Sequence, residues 1–284
     1  MTSLVDNSTG IPAADFIDAA AEGTGLFPMF QPVVSLADGK TVGYEALARW
    51  PSLAQLRPST VFERAAATGR LDRLDRVCTS AAISAASQAG LGSEHLLMVN
   101  CEPGTARRHC GDDELTRRAR SDLQVVYEIT ERSLLRHPKT LLQKVAAIRR
   151  DGFAVALDDV GARPDSLALL DVLAPDVIKL DIGMVQSRLS EGRAREFAGV
   201  LAHQERTGAL ILAEGIETDG HLERALAFGA TLGQGFRFGA AAPLPQRPPV
   251  RGRCGQFLAS TSRSPAPCST HFVIIRRSGP CRRA

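Results

Sequence analysis

The chain has 284 residues, 44% of them hydrophobic, and its six cysteines include no C-x-x-C pair. This composition is typical of a globular protein with one large or two small domains, and the cysteine spacing does not indicate a disulfide framework. The net charge of +3 is uneven, because residues 241–284 hold eight arginines and no acid, leaving 26 basic and 31 acidic residues in 1–240. This mildly acidic body argues against a general DNA- or RNA-binding surface.

The chain divides into three predicted parts. Residues 1–24 are expected to contain a lead-in helix around 13–21, residues 25–245 to form the folded domain, and residues 246–284, rich in Arg, Pro and Ser, to be disordered. Acids stand where a signal peptide would have its apolar core, and no run of 18 apolar residues indicates a membrane span. We therefore expect a cytoplasmic protein.

Short apolar runs alternate with helical periodicity along the domain. The predicted strands are MFQPVVSL, VGYEALA, HLLMVNC, LQVVYEIT, FAVALDD, DVIKLDI, LILAEGIE and LGQGFRFG. One helix is predicted from the spacing between Leu71 and Ala85, and another from an N-cap at Asp219 to Gly229. Eight strands with intervening helices predict an α/β fold, a (β/α)8 TIM barrel. The tight turn ADGK leaves no room for a helix, so one of the first two strands should be antiparallel.

Polar residues follow the apolar part of almost every predicted strand. They are Glu45, Asn100, Glu128, Asp158 with Asp159, Lys179 with Asp181, Glu214 with Glu217, and Gln234. In a barrel these strand ends meet on the face that carries active sites. A cluster of acids repels itself unless cations neutralise it, and oxygen ligands suit a hard ion. The sequence therefore predicts two Mg²⁺ or Mn²⁺ ions bridged by an aspartate, a pair suited to phosphoryl displacement.

Each residue also has a purely structural interpretation. Glu45 could pair with Arg49, and Asn100 could serve as a turn residue, since structural ion pairs are common. Recurrence at consecutive strand ends favours the functional interpretation. Lys179 within an acidic cluster could pair with an acid, or could orient or deprotonate an attacking water.

The motifs FQPVVSL, YEALARW, VN, YEITE, LDDVG, IKLD, AEGIET and GQGF occur in this order between about residues 25 and 240. In this order they resemble the EAL-type phosphodiesterases, which hydrolyse the bacterial second messenger cyclic di-GMP to linear pGpG in signal transduction. The resemblance implies a modified TIM barrel with one antiparallel strand. It also implies dependence on magnesium or manganese, with cyclic di-GMP as the ligand and a second copy of the chain as a partner. If the domain is catalytically silent, a signalling protein is a further expected partner.

The resemblance assigns roles to individual positions. It implies that Glu45, Asn100, Glu128 and Asp158 hold one metal, that Asp158 and Asp159 face a second, and that Lys179 contacts the nucleophilic water. Glu45 and Glu214 join Lys179 in the catalytic set, and Gln234 completes the site. Gln31, Arg49 and Gln234 form the expected substrate-binding set, and Glu131, Asp181 and Glu217 the supporting set.

The chain departs from the family pattern immediately after Asp159. Active relatives continue with Phe-Gly-Thr-Gly-Tyr-Ser-Ser, whereas this chain has VGARPDS at 160–166, and Pro164 restricts the loop. The alternative hypothesis is therefore a catalytically silent domain that binds cyclic di-GMP or a partner protein. A third hypothesis is an unrelated metal-dependent lyase with Lys179 as the base.

Overall fold

The computed structural model describes residues 18–20, 22–51, 57–102, 119, 121–130, 138–162, 166–187 and 191–245. Eight strands form a closed barrel in chain order. They are β1 Phe27–Ser35, β2 Thr41–Arg49, β3 Leu96–Asn100, β4 Gln124–Thr130, β5 Ala154–Val160, β6 Val177–Leu180, β7 Leu210–Ala213 and β8 Leu232–Gly233. The predicted barrel is confirmed. The predicted lead-in helix lies within the described residues only at 18–20, and the predicted tail lies outside them.

The helices of the described residues lie between the strands in chain order. They are α1 Pro58–Ala67, α2 Leu71–Gln88, α3 Pro138–Arg150, α4 Ser166–Leu173, α5 Ile182–Gln186, α6 Glu191–Thr207 and α7 Asp219–Ala227. The N-cap of α7 is Thr218, whose hydroxyl accepts from the His221 N–H, so the prediction of Asp219 is wrong by one residue. None of these helices is both long and apolar enough to cross a membrane.

The first strand runs against both of its neighbours. β1 pairs antiparallel with β2, with Gln31 opposite Glu45, and antiparallel with β8. The remaining neighbouring pairs are parallel. The predicted antiparallel strand is confirmed, and the parallel strands bring their carboxyl ends to one face, which we call the mouth of the barrel.

The interior of the barrel below the mouth is apolar. Val33, Leu96, Met98, Val126, Ala156, Val177, Leu210, Leu212 and Leu232 pack together there. Alternate residues of the same strands, such as Leu97 and Val155, belong to the larger cluster packed against the helices. This is the period of two expected of strands covered on both faces.

The last strand is shorter than predicted. β8 ends at Gly233, whereas the apolar pattern predicts a strand to Gly239. Gly235 has a φ of 153° and lies against the backbone of Ile216, where a side chain would clash. Gln234 therefore stands at the point where the chain leaves the sheet.

Candidate metal centre

The period of two in each strand places one polar side chain directly above the apolar interior. Met98 is followed two residues later by Asn100, Val126 by Glu128, Ala156 by Asp158, Val177 by Lys179, Leu212 by Glu214 and Leu232 by Gln234. In the register of the sheet, Glu45 lies beside Met98 and opposite Gln31. All eight strands thus contribute to one polar layer at the mouth.

Lys179 lies at the centre of this layer and is 1% exposed. Its Nζ lies 2.8 Å from Glu214 Oε1, 2.9 Å from Glu128 Oε1, 3.1 Å from Asp158 Oδ1 and 3.7 Å from Glu45 Oε1. We call Lys179 and these four acids the mouth cluster. One ammonium faces four carboxylates, so the fully ionised cluster has an excess of negative charge.

Amide side chains hold Glu45 from the other side. Gln234 Nε2 donates to Glu45 Oε2 at 2.6 Å and to Gln31 Oε1 at 3.1 Å. Gln31 in turn donates to the carbonyl of Gly239 at 3.2 Å. Asn100 Nδ2 lies 3.5 Å from Glu45 Oε1, at the limit of a hydrogen bond. Two residues predicted to bind substrate, Gln31 and Gln234, therefore form a network that orients Glu45.

The adjacent aspartates lie on the same side of their strand. Neighbouring residues of a regular strand point to opposite faces, but the pairing of β5 with β6 shifts register between Leu157 and Val160, and Asp159 has a φ of 58°. Oxygens of Asp158, Asp159 and Glu214 consequently lie within 4.8 Å of one another. A positive φ on a non-glycine residue is strained and is concentrated at functional sites.

Burial and charge shift the pKa values in the mouth cluster. Burial, and then repulsion from Glu45, raise the pKa of Glu128 well above its usual value despite the attraction of Lys179. Burial also raises the pKa of Glu214 to about 7, with Asp158 and Glu45 adding to the shift and Lys179 opposing it. Burial acts to lower the pKa of Lys179, but the surrounding carboxylates raise it well above the ordinary value. The ammonium therefore stays protonated, and the raised pKa values of Glu128 and Glu214 mean that the cluster resists carrying four negative charges without further cations.

The donor set of the mouth cluster suits divalent cations. Within the described chain, Glu128 Oε1 and Asp158 Oδ1 are buried and share a single ammonium, that of Lys179, while Glu128 Oε2 is buried with no recorded hydrogen bond. Burying several carboxylates against one ammonium is costly unless further positive charge is bound. Oxygen ligands without sulfur or imidazole favour a hard ion, which at about 2.0–2.6 Å from each ligand spans oxygens about 4–5 Å apart. The residues present fit such an ion.

The remaining predicted residues lie outside the mouth cluster. Arg49, at the end of β2, lines a groove of about 580 Å³ next to Asn100 and donates to the carbonyl of Ala48. Asp181 caps α5 by accepting from the Gly183 N–H at 2.8 Å, which gives it a structural role. Glu217 is exposed, and its N–H contacts His221. Glu131 and loop positions 163–165 lie outside the described residues.

Two further residues near the mouth were missed from the sequence. Lys144 and Asp75 form a buried ion pair at 3.3 Å that contacts the backbone just after Asn100. One signal was available, because Lys144 is one of only four lysines and interrupts the apolar face of its helix.

Comparison with known proteins bears on this site. The sequence pattern of the EAL domain family matches residues 15–241. The chain belongs to the EAL domain family. Among EAL relatives, RocR of Pseudomonas aeruginosa, named a cyclic di-GMP phosphodiesterase, is 30% identical over 226 residues, covering 77% of this chain and 57% of RocR. NbdA of the same species, also named a cyclic di-GMP phosphodiesterase, is 30% identical over 224 residues, covering 76% of this chain and 29% of NbdA.

Solved EAL structures have the same fold. BlrP1 of Klebsiella pneumoniae, determined at pH 6 with manganese and cyclic di-GMP, is similar with a TM-score of 0.66 and 28% identity, over 79% of this chain and 58% of BlrP1. The match spans less than two thirds of each of these three relatives. The expectation of an EAL-type barrel is thereby confirmed.

Proposed function

We propose that this EAL domain is a cyclic-guanylate-specific phosphodiesterase that hydrolyses cyclic di-GMP to linear pGpG and needs Mg²⁺ or Mn²⁺. The observation that carries the proposal is the mouth cluster. In it, oxygens of four carboxylates lie within 3.7 Å of a single ammonium, the Nζ of Lys179. An excess of buried negative charge above an apolar barrel has no structural use by itself. It suits a site that binds cations and a phosphodiester.

The residues divide into two groups around the cations. Glu45, Asn100, Glu128 and Asp158 would hold one ion, and Asp158 with Asp159 would hold a second, beside Glu214. Two such ions would activate water and stabilise the attacking and leaving oxygens of an in-line displacement. The shared position of Asp158 follows from the irregular pairing of β5 that turns both aspartates to one side.

Lys179 acts in this proposal as a cation and not as a base. The carboxylates around it raise its pKa in the metal-free site and so favour the ammonium form, which would donate to the attacking water and hold it in place. The carbon-acid lyase hypothesis requires a neutral Lys179 and is disfavoured by the same pKa shift.

The substrate contacts involve the groove beside the cluster. Arg49 lines it, and a guanidinium can bind a phosphate through two donors. Gln234 already donates to Glu45 and Gln31, so we assign it to orienting Glu45. Its Oε1 is buried and, within the described residues, has no hydrogen-bond partner, which leaves one acceptor at the edge of the site.

Incubation of the purified chain with cyclic di-GMP and Mn²⁺ or Mg²⁺ tests the proposal. The expected result is linear pGpG on ion-exchange chromatography, with no product when EDTA is present. No product at micromolar enzyme with either metal would overturn it. EDTA that has first been saturated with Mg²⁺ or Mn²⁺ serves as the control, because it cannot remove metal from the protein and should leave turnover unchanged.

A silent receptor is the second candidate, and the sequence after Asp159 favours it. Val160 is buried, and the turn that follows is closed by a bond from the Ala162 N–H to the Asp159 carbonyl at 3.1 Å. Gly161 has a φ of 93° and lies against Met184, so the turn allows no side chain there. Because Asp159 belongs to this turn, changes in the loop act directly on the second cation.

Replacing residues 160–165 with the family pattern distinguishes the two candidates. A silent receptor would bind cyclic di-GMP with turnover at or below the detection limit, and the replaced loop would raise turnover at least about 10-fold above that limit, roughly 1.4 kcal/mol of barrier. Equal turnover before and after replacement would show that the loop is not the cause.

A further inference from the structure

The chain has a second buried lysine outside the mouth cluster. Lys144 of α3 is 4% exposed, and its Nζ lies 3.3 Å from Asp75 Oδ2 of α2. Lys144 Nζ also donates to the carbonyl oxygen of Glu102, and Asp75 Oδ1 accepts from the Glu102 N–H at 2.9 Å. The ion pair thus holds both backbone polar groups of one residue, Glu102, which lies two positions beyond Asn100.

Asn100 needs support from the chain that follows it. It is the last residue of β3, it is exposed, and its amide lies 3.5 Å from Glu45 Oε1, which is too long to fix its orientation. Cys101 is held by its N–H, which donates to the Glu128 carbonyl at 3.0 Å. The next backbone contacts are those of Glu102 with Asp75 and Lys144. The direction of the chain at Asn100 is therefore set by two successive anchors.

Stability alone does not explain this pair. A buried ion pair stabilises a fold no more than apolar side chains of similar volume do, because both ions lose their hydration. Burial acts to lower the pKa of Lys144, but Cys101 and Asp75 raise it by more, so the lysine stays charged. The pair joins two outer helices, α2 and α3, to the end of one inner strand, which is the geometry of a positioning device.

We propose that Asp75 and Lys144 position Asn100 for metal binding at the mouth of the barrel. The inference rests on the proposed function, because it takes Asn100 as a metal ligand. The recorded contacts of the pair are with the Glu102 backbone and the Cys101 side chain, so both residues act through the chain that follows Asn100. Losing them is expected to loosen the strand end and weaken metal affinity.

The test compares the wild-type chain with the double variant Asp75→Leu/Lys144→Met. The two changes remove both charges of the ion pair together, so neither member is left buried without the other. Hydrogen–deuterium exchange of the metal-free protein is expected to become about 10-fold faster at residues 100–102. Affinity for Mn²⁺, measured by electron paramagnetic resonance, should fall about 10- to 100-fold, as for other residues that orient metal ligands. With cyclic di-GMP, kcat should fall while KM changes little.

Asp176→Leu is the matched control. Asp176 accepts from the Val155 N–H at 2.9 Å, the same kind of bond at the opposite end of the barrel. This control should lower the melting temperature without changing exchange at 100–102 or Mn²⁺ affinity. Should the double variant not fold, the milder double variant Asp75→Asn/Lys144→Met, which keeps a side-chain acceptor for the Glu102 N–H, should weaken Mn²⁺ binding in the same direction but by less.

The outcomes separate this inference from the proposed function. Unchanged exchange, or faster exchange with unchanged Mn²⁺ affinity, would overturn the positioning role. A wild-type chain that binds Mn²⁺ without turnover would count against the proposed function, and the affinity comparison would still decide the positioning role. A wild-type chain that binds no Mn²⁺ would overturn both.

Discussion

Two buried lysines of this EAL domain differ in the number of carboxylates that face them. Lys144 forms an ion pair with Asp75, donates to the Glu102 carbonyl and also interacts with the Cys101 side chain. Lys179 is surrounded by four carboxylates and supported by no second cation in the contacts described. The first arrangement sets one ammonium against one ion-paired carboxylate, with the Glu102 carboxyl nearby, so its charges are close to balanced. The second is complete only when further positive charge arrives.

The two lysines also differ in what lies beneath them. Lys144 is on a helix that packs against the outside of the barrel, with Leu141, Val145 and Ile148 buried on the same face. Lys179 is on a strand directly above the apolar interior that contains Val177. Screening by water is weak there, so unbalanced charge is costly and cation binding is favoured.

The largest expected effect comes from removing a carboxylate from the unbalanced cluster. Glu45→Ala removes an acid that contacts Lys179, Gln234 and Asn100. We expect turnover of cyclic di-GMP to fall about 10⁴-fold, roughly 5.5 kcal/mol of barrier, since cation binding is lost. Initial rates at saturating Mn²⁺ measure it. The exposed acid Glu223 supplies the control, because Glu223→Ala should keep the wild-type rate.

A smaller effect is expected on stability when the central ammonium is removed. Lys179→Met leaves the four acids facing one another, and the metal-free protein should lose roughly 3 kcal/mol of unfolding free energy. Saturating Mn²⁺ should reduce that loss, because the cations replace the missing positive charge. Urea unfolding with and without Mn²⁺ gives both numbers.

The exposed lysine Lys139 is the reference for this substitution. Lys139→Met should change stability by less than about 0.5 kcal/mol, as at other surface positions. If the two lysine variants had equal stability without metal, the charge balance inferred for the mouth cluster would be wrong.

The smallest expected effect is on the pH dependence of stability. Burial raises the pKa of Glu214 to about 7 in the folded chain, above its ordinary value of 4.5. The folded state therefore keeps a proton that the unfolded chain releases, so this contribution to stability is present below about pH 4.5 and is lost as the pH rises to about 7. Melting temperatures of the metal-free protein between pH 4.5 and 7.5 should fall accordingly.

Glu214→Gln removes this titrating group and should make the pH profile less steep, with the remaining slope coming from Glu128, whose pKa burial also raises. Saturating Mn²⁺ should oppose the trend, because metal ligands bind as carboxylates and release protons. A profile that is unchanged by Glu214→Gln would mean that the proton is held elsewhere in the cluster.

Much of the barrel and of its polar layer could be predicted from the sequence. Strands buried on both faces are visible as continuous apolar runs, and one polar residue at the end of each run identifies the mouth. Glu128 and Lys179 illustrate this, since each lies two residues after an inward apolar side chain. The antiparallel β1 followed from a turn too short for a helix.

The details that could not be predicted depend on irregular backbone or on distant contacts. Periodicity places Asp158 and Asp159 on opposite faces, and only the register shift of β5 and the positive φ of Asp159 bring them together. β8 stops early because Gly235 meets Ile216, which is far away in sequence. The pairing of Asp75 with Lys144 joins residues 69 positions apart on two different helices, beyond the reach of local patterns.

The most direct test of the central claim is the number of Mn²⁺ ions that the chain binds. Equilibrium dialysis of the metal-free protein with cyclic di-GMP should give about two ions per chain. Glu45→Ala and Asp158→Asn should each lower that number, whereas Asp176→Leu should not. Fewer than about one ion per chain at millimolar Mn²⁺ would contradict the claim that the negative charge around Lys179 forms a two-metal site.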